Sequence, residues 1–135
     1  MLRKISITTL MAEIIKLVET NTGKRCYDAV PLNAPSPFYY VELVSVRPKN
    51  TKTMYVDSYD FQFHCIAEVD YSSVKIHSLI QQLEEALTNN LVLDDPYNVI
   101  RVIDNGVVVI RTDETGEKHA ICPVSFEISY GFICK

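Results

Sequence analysis

From Tyr59 to Val69 the chain alternates almost without a break. Tyr59, Phe61, Phe63, Cys65, Ala67 and Val69 alternate with Asp60, Gln62, His64, Ile66 and Glu68. A period of two puts one set on each face of a strand, one buried and one wetter. A slip of a single residue would send the whole apolar set to the wrong face, so the pairing register is strongly specified. A strand this long and this one-sided requires an apolar layer against it.

Two helices can supply that layer. In residues 6–20, Ile7, Leu10, Met11, Ile14, Leu17 and Val18 recur at steps of three and four, the spacing of one helical face. Ser6 is placed to cap the start, and Gly23 to stop the end. Residues 73–89 repeat the pattern with Ile76, Leu79, Ile80, Leu83 and Leu87, with Ser72 or Ser73 as cap.

The remaining segments read as strands. After a short extended piece at 25–30, Pro31, Pro35 and Pro37 make a stiff connector. A proline-rich stretch also serves as a ligand for aromatic grooves, but strand signals follow at once. Residues 38–47 and 54–69 then form a long hairpin about a polar turn at 48–53. Residues 97–103 and 107–112 flank Asn105-Gly106, a strong hairpin signal because both residues tolerate positive φ. Residues 119–133 close the chain, and Pro123 there predicts a bulge or an edge position. The predicted order is α-β-β-β-α-β-β-β. The fold class is α+β, an antiparallel or mixed sheet with both helices on one face.

The length, 135 residues, predicts a single domain spanning 1–135. A formal charge of −4 argues against general nucleic-acid binding driven by phosphate neutralisation. Cys26, Cys65, Cys122 and Cys134 contain no CxxC and no zinc-ligand spacing, so they read as reduced, buried small hydrophobes. Arg3 and Lys4 precede an apolar stretch, but Glu13 and Lys16 interrupt it and no small-residue cleavage site follows. No run reaches the roughly 18 apolar residues of a membrane span. The expectation is a soluble protein made in the cytoplasm.

Candidate chemistry is sparse. His64 beside Cys65 suggests a nucleophile pair, yet neighbours in a strand point to opposite faces. His64, His77 and His119 lack the i, i+4 spacing of a metal site. Glu84-Glu85 reads as a solvated helix face and Asp94-Asp95-Pro96 as a turn. The four glycines never cluster into a phosphate-binding loop. No catalytic, metal or cofactor residue is assigned. One local feature departs from the acidic average: Arg47, Lys49 and Lys52 place three positive charges in six residues at the hairpin tip. They read either as a solvated turn or as the candidate contact for a neighbouring subunit, an acidic partner or DNA in a channel.

The order of elements, together with the segment Asn33-Ala34-Pro35-Ser36-Pro37-Phe38-Tyr39-Tyr40-Val41, resembles the tail-completion or tail terminator proteins of long-tailed bacteriophages and prophages, also called neck or tail-to-head joining proteins. The resemblance covers residues 6–20, 31–47, 54–69, 73–89 and 97–133. It implies a structural role without catalysis. Such proteins form a ring, commonly hexameric, that caps the head-proximal end of the tail tube and docks the head connector. DNA would pass through its lumen. Tail tube and connector proteins are the implied partners, with no membrane. The implied location is the host cytoplasm during assembly and then the virion. The hairpin of residues 38–69 would reach a neighbouring subunit. Competing readings are another head–tail connector or neck protein, a small α+β enzyme or ligand-binding domain, and a module that binds by strand addition.

Overall fold

The computed structural model describes residues 3–133. Helix α1 spans Ile7–Thr22 and α2 spans Val74–Ala86. The strands are β1 (Arg25–Tyr27), β2 (Phe38–Pro48), β3 (Met54–Ala67), β4 (Asn98–Asp104), β5 (Val109–Thr112) and β6 (Lys118–Phe132). They form a six-stranded sheet of order β1-β2-β3-β6-β4, with β5 also paired to β6. Only β1 and β2 run parallel; every other pair is antiparallel. The fold is the expected α+β arrangement in the expected order. Among the described residues no helix is long and apolar enough to cross a membrane.

The alternation of β3 dictates the layering. Phe61, Phe63 and Cys65 are at most 1% exposed, and they cluster with Leu10, Ile14 and Val18 of α1 and Ile76, Leu79 and Leu83 of α2. Their cross-strand partners Tyr39 and Val41 on β2, and Ala120, Cys122 and Val124 on β6, complete the core with Phe126 and Ile128 further along β6. Phe61 meets Phe126 edge to face at 5.7 Å, the arrangement that ring quadrupoles favour. Burying each such phenylalanine contributes about 2–3 kcal/mol. Tyr39 ties the layers together, its hydroxyl donating to the Leu79 carbonyl at 2.8 Å. At the other end of the helix layer, the Lys4 ammonium approaches the buried Asp57 carboxylate of β3 to 3.2 Å.

The helix ends follow the sequence in part. Gly23 adopts φ 70° and returns its N–H to the Glu19 carbonyl, a left-handed stop that glycine takes without penalty. Neither Ser6 nor Ser73 caps its helix through its side chain, but Ser72 Oγ accepts from the Val74 N–H at the start of α2 at 3.3 Å. The first strand stops at Tyr27 and α2 at Ala86, each about three residues earlier than the composition suggests.

Asn105-Gly106 does not form the expected hairpin. Strands β4 and β5 do not pair with each other; they run in line along the same side of β6. Asp104 pairs with Val124 and Val109 with Ile121, so four residues of one strand face two of the other. Gly106 alone takes positive φ, and its N–H is held by the Asp104 side chain at 2.9 Å. The reason lies opposite. Pro123 accepts from Asn105 N–H through its carbonyl but has no N–H to return on that side. The ladder breaks there and the glycine lets the chain bow outward. Pro123 thus marks the break opposite it, while its own interior strand stays regular, pairing with Gln62 without a register shift; the extra residues belong to the segment between β4 and β5.

Candidate functional site

The sheet face turned away from the helices carries the even-numbered side chains of β3 and their neighbours, and it is polar. Asp60 is its hub. The Arg47 guanidinium grips the carboxylate with two bonds, Nε to Oδ2 at 2.7 Å and NH2 to Oδ1 at 3.1 Å. Ser45 and Ser125 donate at 2.7 Å each, and Ser58 at 3.2 Å. Hydrogen bonds from Arg47, and then from Ser125 and Ser45, hold the Asp60 carboxyl well below the usual carboxylate range against the cost of partial burial. Three strands, β2, β3 and β6, converge on this one side chain.

A second polar chain crosses the same face. Glu42 Oε1 lies 3.0 Å from His64 Nε2, and His64 Nδ1 lies 2.8 Å from His119 Nε2. Tyr40 stacks on His64 at 5.1 Å and donates to Glu42 at 3.3 Å. Burial, then His64 and Arg111, press the His119 pKa down, while Asp113 opposes them. Glu42 and His119 address opposite nitrogens of His64, so the three do not converge on one ion. His77 sits apart on the exposed side of α2. No group of three metal-ligating residues is found among the described residues.

The adjacent His64 and Cys65 point to opposite faces, as strand geometry requires. Cys65 lies in the core beside Cys122, and the hydrogen bond between them together with burial pushes the Cys65 thiol well up. Cys26 is buried too; desolvation, helped by Glu19 and Asp28, raises its thiol to about 12. Cys26 and Cys65 are protonated core groups, while the bond from Cys65 draws the Cys122 thiol down. Cys134 lies outside the described residues. A groove of about 580 Å³ runs along the outside of α1, lined by Ile7, Met11, Ile15, Glu19 and Asp28. It contains neither of the paired histidines.

The three tip cations are separated by the structure. Arg47 is committed to Asp60. Lys49 and Lys52 lie exposed in the turn between β2 and β3, with no carboxylate within 4 Å among the described residues. Sequence reading missed Asp60, Glu42 and the meeting of His64 with His119. The alternation placed Asp60 and His64 on one face, but their partners emerge only when β2 and β6 are set in register.

Among the described residues, both edges of the sheet are free. Strand β1 covers only Phe38–Tyr40 of β2, leaving the outer side of residues 41–48 without a strand partner among the described residues. Val44 and Val46 are exposed there. On the far side, β4 and β5 have no strand beyond them among the described residues. That edge exposes Ile100, Val102, Val107, Val108, Val109 and Ile110. Long apolar edges of this kind are pairing templates, which lone proteins normally blunt.

The comparisons agree with this subunit-like surface. A family model, Phage_tail_terminator_4, described as "Putative tail termination protein", matches residues 1–135. The chain belongs to this phage tail terminator family. Among solved structures, a chain from the virion of a native gene transfer agent (GTA) particle has the same fold. The TM-score is 0.73 at 15% identity, covering 93% of this tail terminator family member and 99% of that chain. No curated protein sequence matches. The family is one of structural tail proteins.

Proposed function

We propose that this chain terminates a phage tail. Copies of it close into a ring, six in the assembled tail, that caps the head-proximal end of the tail tube. The outer surface of the ring docks the head connector, and DNA passes through the lumen. The observation that carries this reading is the family match along the whole chain. The likeness to a chain of a GTA virion supports it, since that protein belongs to an assembled particle. The two unpaired sheet edges fit a subunit whose surface is completed by neighbours. The chain acts as one domain, assembles in the host cytoplasm and stays in the virion.

Deletion of the gene, with electron microscopy of the particles, tests the role. Overlong tails, or tails and filled heads that remain unjoined, are the expected result. Tails of normal length attached to heads would overturn it. Tails of normal length with unjoined heads would assign the chain to head–tail connection alone.

A further inference from the structure

The two free edges differ in charge as well as position. The turn that ends β2 carries Lys49 and Lys52, both exposed, and residues 47–52 contain no acid. The opposite edge and its flanks, residues 94–117, contain six acids and two bases. Asp94 and Asp95 precede β4, Asp104 ends it, and Asp113, Glu114 and Glu117 follow β5. Each edge also exposes aliphatic side chains beside its backbone, Val44 and Val46 on one and most prominently Val108 and Ile110 on the other.

We propose that the β2 edge of one copy adds to the β4–β5 edge of the next, continuing the sheet from subunit to subunit. The occupant of each edge is therefore a second copy of this chain. Strand addition satisfies the free N–H and C=O groups on both sides. It buries Val44 and Val46 against Ile100 and Val102 of β4, and, since Pro48, Asp57, Ile128 and Val99 share one level across the sheet, it sets Lys49 and Lys52 towards Asp94 and Asp95, which precede β4. Because the two edges are different surfaces, the contact is heterologous. Repetition closes a ring where the rotation allows it, whereas a self-complementary patch would stop at a dimer. Charge also selects the orientation. Two β2 edges would oppose lysines and two β4–β5 edges would oppose carboxylates, both of which repel. The inference rests on the ring reading above and names its joint.

Half-blocked copies test it. V46D closes the β2 edge and I100D closes the β4–β5 edge, both at exposed positions, and thermal melts check that each variant folds. Sedimentation velocity should show each variant alone as a monomer and their mixture as a dimer that grows no further. K49E/K52E and D94K/D95K should each weaken ring formation at least about tenfold, on the scale of like charges facing each other across an interface. The four changes combined in one chain should restore it. If the free wild type is monomeric, the same variants are read on isolated tails as occupancy of the tail end. Wild-type rings that survive every edge variant would overturn the joint and leave the ring standing. Wild type that forms a ring neither free nor on tails would overturn both.

Discussion

His64 Nδ1 and His119 Nε2 share one hydrogen bond, 2.8 Å long, across the β3–β6 pair. One imidazole donates and the other accepts, so the pair holds together only while at least one of those two nitrogens is bare. His119 is the ring whose proton affinity the fold depresses, through burial first and His64 second.

The sign of the resulting pH effect follows from linkage. An unfolded histidine takes up its proton near pH 6.5, whereas folded His119 does so at lower pH. Its contribution to stability is complete above the unfolded value and is lost as pH falls below it. His119→Gln should shrink the drop in melting temperature between pH 8 and pH 5 relative to wild type. Thermal melts at both pH values measure this, and an unchanged drop would show that His119 is not the group that titrates.

Asp60 governs a lower pH range. Its carboxyl is held below the ordinary value near 4, so its stabilisation is present above that value and fades as pH falls through the folded one. Ser125→Ala removes one donor and should cost about 1 kcal/mol at pH 7. Asp60→Ala strands three strands' worth of donors and should cost more, about 2–3 kcal/mol. Asp60→Asn should flatten the acid limb of the stability profile. Urea denaturation across pH 2–7 resolves all three.

What the sequence disclosed tracks what is local. Alternation in β3 and the 3.6-residue stripes of α1 and α2 report burial directly, so the layers and their inner faces were readable. Pro123 announced an interruption because a missing N–H is a property of one residue, although the extra residues fall on the segment opposite and not on its own strand. Asn105-Gly106 misled for the complementary reason. Its preference for a hairpin is real, but β6 offers a 15-residue partner to both flanking strands, and pairing with it wins over pairing with each other. The Asp60 and His64 clusters were hidden because the bonds that join strands in them link residues 13 to 65 positions apart. Strand register, not spacing, brings them together. The basic tip was visible as composition, yet the commitment of Arg47 to Asp60 depends on that same register.

Tyr39 gives a test of the coupling between layers. Its hydroxyl is fully buried and donates to Leu79 of α2. Tyr39→Phe keeps the ring and removes only the bond, leaving a buried carbonyl without that donor. The expected cost is about 1–2 kcal/mol, read as a lower urea midpoint at unchanged slope. A change in slope would mean that the substitution alters the extent of unfolding rather than one contact.

The tip cations separate stability from assembly. Arg47→Glu would set a second carboxylate beside Asp60, exchanging the two guanidinium bonds for repulsion. Its melting temperature should fall at neutral pH, and partly recover as acid neutralises the new carboxylate. Lys49 and Lys52 contact no carboxylate among the described residues, so K49E/K52E should leave the melting temperature where it was, as changes at exposed positions usually do. On the proposed joint, the same double variant loses association while remaining folded. Equal melting losses in R47E and K49E/K52E would show that the whole turn is structural. Unchanged melting together with unchanged association in K49E/K52E would remove the lysines from the interface, leaving the aliphatic edges alone to join the copies.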